Sequence, residues 1–168
     1  MSLRRTSDDS TTPKKRYSPE EAYLRISRYC AYQERSHKEV RTKLFSYGLY
    51  PSEVEQALSR LITDGFLNEE RFAKAFAGGK FRMQKWGRSK IIRALEMHGV
   101  SDRCIQRGLK EIEMPAYSRT LRSLLAKKLK SLKEPNLFKA RQKTAQFAIG
   151  KGYEPELVWE FLREMTEE

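Results

Sequence analysis

Apolar residues along this chain recur at helical spacing, in phase with three glycines. Gly48, Gly99 and Gly152 stand 51 and 53 residues apart. Six, ten and thirteen residues beyond them lie Val54, Leu58 and Leu61, then Ile105, Leu109 and Ile112, then Val158, Leu162 and Met165. Each trio follows the i, i+4, i+7 pattern of one buried helix face. Eight and four residues before the glycine lie Val40 and Leu44, then Ile91 and Leu95. The third register is weaker there, with Thr144 and Ala148 beside Phe147. The residue after each glycine is Leu49, Val100 or Tyr153, placed to pack back on the helix that the glycine ends. No alternating β-branched run predicts a strand.

The polar positions punctuate the same elements. Ser18 with Glu21, and Ser36 with Glu39, have the spacing of capping boxes. Pro51, Asp102 and Pro155 fall at the first position of a new helix, three residues past each glycine. Asn68 caps a helix carrying Glu69 and Glu70 at its positive end. Further helices are predicted over about 19–33, 69–85 and 116–132. Gly78 and Gly79, inside the second of these, predict a kink or a close approach. The chain thus reads as all-α: a basic arm at 1–17, expected to be disordered, then three three-helix repeats at 18–67, 68–113 and 114–168. Units this small bury little core alone, so neighbours should stack and the whole should be elongated.

Charge changes this picture. The 168 residues hold 34 Lys and Arg against 22 Asp and Glu, a net charge of +12, with a pI near 9.8 and a mean hydropathy of −0.75. Such an excess favours a polyanionic partner. It is banded: the first repeat is neutral, the second carries +5 and the third +4. Between Arg71 and Arg93 there are eight basic residues and no acid, and 119–143 holds nine with Glu134 alone opposing them. The residues expected to meet a nucleic acid or a nucleoprotein filament are Lys80, Arg82, Lys85, Arg88, Lys90, Arg93, Arg119, Lys127, Lys128, Lys130, Arg141 and Lys143. Arg88, Lys90 and Arg93 are expected on the outer, solvated face of their helix, with Ile91 and Leu95 inward. Trp86 is expected to cover the interior rather than to stack on a base. The mixed-charge first repeat suits a protein surface better, through Arg35, Lys38 and Arg41.

Other chemistries find little support. His37 and His98 have no second ligand at metal spacing, and Cys30 and Cys104 suggest neither a disulfide framework nor a zinc site. No nucleophile elbow, phosphate-cradling glycine loop or paired carboxylates stand out. No catalytic residue, metal or cofactor is expected. The N-terminus lacks the apolar core of a signal peptide and no run is long enough for a membrane span, so a soluble, cytoplasmic monomer is expected. Two helices joined by a tight turn leave a helix-turn-helix or architectural DNA-binding protein as the alternative.

The blocks "RSHKEVRTKLFSYG" (35–48), "LITDGFLNEERFAKAF" (61–76) and "KWGRSKIIRALEMHGV" (85–100), and more loosely "KARQKTAQFAIGKGY" (139–153), resemble the RecX family of regulators of the bacterial RecA recombinase. The resemblance implies three tandem repeats forming a curved rod. It also implies binding of the RecA–single-stranded-DNA filament in its helical groove. The consequence would be inhibition of ATP hydrolysis and strand exchange, and so control of recombination, DNA repair and the SOS response.

Overall fold

The computed structural model describes residues 15–167. Residues 1–14, most of the expected arm, lie outside the described residues. Nine α-helices and no strand occur among the described residues. The first repeat comprises α1 (Pro19–Tyr32), α2 (His37–Ser46) and α3 (Pro51–Thr63); the second α4 (Glu69–Gln84), α5 (Arg88–Met97) and α6 (Asp102–Leu109). The third comprises α7 (Met114–Ser131), α8 (Leu137–Gly150) and α9 (Pro155–Thr166).

Local chemistry explains the boundaries. Ser18 and Ser36 form reciprocal capping boxes with Glu21 and Glu39. Asn68, Ser101 and Asn136 accept the backbone N–H three residues on. Gly48, Gly99 and Gly152 close α2, α5 and α8 with φ of 84°, 75° and 103°, the left-handed conformation that glycine adopts without steric cost. Helix α4 runs unbroken through the Gly78–Gly79 pair, and the Arg82 side chain approaches closely along the bare backbone at Gly78.

The buried side chains form two cores. One belongs to the first repeat alone, around Ile26, Val40, Leu44, Val54, Leu58 and Leu61. The other is shared by the second and third, from Phe72, Ile91 and Leu95 through Phe81, Tyr117 and Tyr153 to Val158 and Leu162. The small residues of α8 now have a reason. Ala140, Thr144, Ala145 and Ala148 are buried, and the Thr144 hydroxyl is satisfied by the Ala140 carbonyl at 2.8 Å. Their lack of bulk is offset by two whole tyrosines, Tyr117 and Tyr153, whose rings lie 5.0 Å apart. Leu109, expected in the core, is only half-buried, because the tight crossing of α4 and α6 falls at Gly108, where a Cβ would stand 2.7 Å from the Ala73 carbonyl oxygen.

The repeats join head to tail through their second helices. The C-terminal carbonyls of α8, on Lys151 and Gly152, accept the Gly87 and Ser89 N–H groups at the start of α5, at 2.8 and 2.9 Å. The end of α5 meets the start of α2 in the same sense: Lys38 Nζ donates to the Met97 carbonyl at 2.9 Å, and Ser36 Oγ lies 3.3 Å from His98 Nδ1. Each joint brings a negative helix end to a positive one. The first and third repeats share no hydrogen bond or ion pair among the described residues, so the three stand in a row.

Arg16 and Tyr17, assigned above to the arm, pack on the first repeat. Tyr17 N–H donates to the Tyr47 carbonyl at 2.9 Å, and Arg16 pairs with Glu53 at 2.7 Å while its guanidinium covers the Tyr50 ring. No helix among the described residues is long and apolar enough to cross a membrane.

Candidate polyanion interface

The end of α4 sets the site. Its last turn closes with Lys85 N–H on the Phe81 carbonyl at 3.0 Å and Trp86 N–H on the Lys80 carbonyl at 3.3 Å, around a residue in the left-handed conformation common at helix ends. That residue is Lys85, with φ 59° and ψ 34°. A side chain in this conformation costs roughly 1–2 kcal/mol relative to glycine. Trp86 follows and is half-buried, set edge-on to Phe76 against the shared core. The Lys80 and Lys90 ammonium groups lie 4.9 and 4.6 Å from the centre of its ring, Lys80 also lining a cavity with Glu34 and Glu39. An aromatic face attracts a cation with about 0.5–1 kcal/mol at an exposed site. The indole therefore covers the interior and also fixes two charges.

Beside it, a cleft of about 300 Å³ separates the end of α4 from α7. It is lined by Lys85, Arg119, Thr120, Ser123, Leu124 and Lys127, with three cations and no acid. Arg119, Ser123 and Lys127 follow one another at i, i+4 and i+8, one face of α7. The fold thus unites three expected binding residues from two repeats. Arg82 and Lys130 are also exposed. Lys128 is half-buried with its ammonium over the Phe147 ring at 4.9 Å.

Other candidates are placed elsewhere. Arg88 is not on an open face. Its guanidinium lies 4.2 Å from the centre of the Tyr117 ring and 3.7 Å from Glu154, inside the joint between the second and third repeats. The Tyr117 hydroxyl donates to Glu154 at 2.6 Å and accepts the Arg88 N–H at 3.1 Å. Burial first, then the hydrogen bond to Glu154, holds that phenol well above its usual pKa, so it stays a donor. Arg93 is exposed on a separate groove that also holds Glu96. Arg141 reaches the Thr166 carbonyl at 3.4 Å and ties α8 to α9. Lys143 is matched by Glu134 at 3.1 Å, which holds that carboxyl below its ordinary value.

In the first repeat, Arg35 covers the Tyr29 ring at 3.8 Å, Lys38 bonds across the joint to Met97, and Arg41 pairs with Glu55 at 3.0 Å. Charge banding could not have separated these side chains from the open ones, because their partners are distant in sequence or stand on aromatic faces. Among the described residues, no group of three or more His, Cys, Asp or Glu is placed to hold a metal ion.

Three family models match this chain in order. They are the first three-helix domain of RecX over 22–61, the second over 68–109 and the third over 117–162. The chain belongs to the RecX family. Among its relatives, the regulatory protein RecX of Bacillus cereus (strain G9842) is 25% identical over 149 residues, which are 89% of this chain and 55% of that protein. That of Clostridium perfringens (strain 13 / Type A) is 31% identical over 134 residues, 79% of this chain and 62% of that protein. The chain thus spans little more than half the length of the curated relatives it matches. A crystal structure of RecX from Lactobacillus salivarius superposes with a TM-score of 0.80 at 19% identity, covering 89% of this chain and 97% of that one. A second, of regulatory protein RecX, gives 0.78 at 20% identity, covering 87% and 73%. At these identities the likeness establishes the fold. The three tandem three-helix repeats read from the glycine register, and the RecX fold that the motif blocks resemble, are therefore what the chain adopts.

Proposed function

We propose that this RecX-family chain binds the RecA–single-stranded-DNA filament in its helical groove and restrains ATP hydrolysis and strand exchange. It acts as a regulator rather than an enzyme, needs no cofactor, works in the cytoplasm and binds as a monomer. The observation that carries the reading is the acid-free cleft between the second and third repeats, lined by Lys85, Arg119 and Lys127, with the Lys80 and Lys90 ammonium groups held on the ring of the adjoining Trp86. A row of repeats offers several weak contacts to a periodic filament, and their combined strength exceeds that of any one. Contacts to phosphate are sequence-independent and weaken with salt.

A helix-turn-helix factor reading base edges fits less well. Such a motif presents the N-terminal residues of its second helix to the major groove. Here the start of α2 is met by the end of α5, and the start of α5 by the end of α8. The test is to titrate the protein into RecA filaments on single-stranded DNA while following ATP turnover and strand exchange. Both should fall. Unchanged rates at saturating protein would overturn the proposal, and a strong preference for one duplex sequence would favour the direct DNA-binding alternative.

A further inference from the structure

Five described residues have positive φ. Four are glycines, Gly48, Gly65, Gly99 and Gly152, and the fifth is Lys85. Glycine adopts this conformation freely, whereas a side chain there is strained. The chain thus uses glycine at four such turns and lysine at the one that opens onto the acid-free cleft. Strain of this kind persists where the surroundings hold it. What holds it here is a pair of hydrogen bonds to main-chain carbonyls: Trp86 N–H bonds the Lys80 carbonyl, and the Tyr153 hydroxyl donates to the Lys85 carbonyl at 2.9 Å. Neither bond uses the lysine side chain, and glycine would make both with less strain. What the lysine adds is an exposed ammonium at the cleft. It donates once to the Arg82 carbonyl, at 2.9 Å, and keeps two further protons for a ligand.

The opposite wall is built for the same ligand. Arg119 and Lys127 are spaced about 12 Å apart along α7, more than one phosphate of a strand, which in a duplex carries one per about 3.4 Å of axis. Thr120 and Ser123 add hydroxyl donors between them. The two walls come from different repeats, and the bonds of Tyr153 to Lys85 and of Gly87 to Lys151 fix one against the other.

We propose that this cleft seats the phosphodiester backbone of a nucleic-acid strand. Lys85 is its ligand from the second repeat, facing Arg119 and Lys127 of the third, and lysine stands there despite the strained helix end. The assignment rests on the polyanion-binding reading above and gives it a site.

The experiment measures binding of a fluorescent oligothymidine by the full chain at several salt concentrations, alongside thermal unfolding. Lys85→Gly should bind about fivefold more weakly near 0.1 M salt, with a slope of log affinity against log salt smaller by about 0.7. Its Tm should be unchanged or up to about 4 °C higher. Lys127→Gln should weaken binding similarly with no change in Tm, whereas Lys110→Gln, exposed but outside the cleft, should leave affinity and slope unchanged. The proposal is overturned by wild-type affinity in Lys85→Gly, by a lowered Tm in that variant, by an equal loss at Lys110, or by no binding of the oligothymidine to the wild type. Displacement of the strand by ATP at lower concentration than by unlabelled strand would overturn it in favour of a free nucleotide. The RecA turnover assay separates the two readings. Wild-type inhibition together with unimpaired strand binding by Lys85→Gly removes the cleft and leaves the regulator. Strand binding that depends on Lys85, without inhibition by the wild type, removes the regulator and leaves the cleft.

Discussion

Replacing Gly87 by alanine should part the second and third repeats. Gly87 has φ −78° and ψ 167°, a conformation alanine adopts readily, so its own backbone offers no resistance. The obstacle is the neighbour: a Cβ here would fall within 3.0 Å of the Gly152 carbonyl carbon and the Tyr153 nitrogen, both backbone atoms that no rotamer change can move. Relief requires a separation on the order of 1 Å, over which packed atoms lose about a quarter to a half of their dispersion attraction. The same movement stretches the bonds from Gly87 to Lys151 and from Ser89 to Gly152, now 2.8 and 2.9 Å, beyond hydrogen-bond range. Two bonds at a net 0.5–1.5 kcal/mol each give about 1–3 kcal/mol. The stiffer unfolded chain favours alanine by about 0.4–1 kcal/mol, and its poorer N-capping opposes this by a similar amount. For a chain of this size the expected fall in Tm is about 2–12 °C. The Ser89 amide, protected by its bond across the joint, should exchange faster. Gly79→Ala is the control: no atom lies within 4 Å of its Cβ position, and it should gain about 0.5–1 kcal/mol from helix propensity. A Gly87→Ala protein that melts with the wild type and keeps its Ser89 amide protected would refute this account of the joint.

Three further outcomes are expected. Arg88→Ala should lower stability by about 1–2 kcal/mol, from the lost Tyr117 ring contact and Glu154 pairing; an unchanged denaturation midpoint would return Arg88 to the solvated face assigned from sequence. Leu95→Ala should cost about 2–5 kcal/mol because Leu95 is wholly buried, and half-buried Leu109→Ala distinctly less; equal losses in urea titrations would contradict the burial difference. Glu70 is held below its ordinary value of 4.5, first by the Arg107 hydrogen bond and then by that of Lys74. Its contribution is therefore full above the ordinary value and is lost as pH falls through the folded-state one. Melting temperature should drop on acidification from about pH 5 to about pH 3, and less steeply in Glu70→Gln; identical slopes would exclude the Glu70–Arg107 contact as a source of acid sensitivity.

Much of the fold was legible because its signals are local. A capping serine and its glutamate lie three residues apart, a left-handed glycine ends the helix it follows, and an i, i+4, i+7 trio names its own buried face. These features predicted the nine helices found among the described residues, their grouping in threes and the inward side of most of them. The third repeat was harder to read because α8 is lined with alanine and threonine, and its bulk comes from Tyr117 and Tyr153 on other elements. The candidate site was legible only as a band of charge. Sequence placed Lys85, Arg119 and Lys127 in one electrostatic class with Arg88, Arg141 and Lys143.

Only the tertiary structure divided that class, since whether a cation is free depends on what stands within a few ångströms of it. Arg88 found Tyr117 and Glu154, 29 and 66 positions away in the chain, and was drawn into a joint. Lys143 met Glu134 across the turn before α8. Lys85 remained open across from α7. The glycines show the same division. The sequence alone determined that Gly152 must end a helix, because φ is a property of one residue. That Gly152 and Gly87 also form the contact between two repeats depended on two backbones approaching from distant parts of the chain, and no local pattern records that distance.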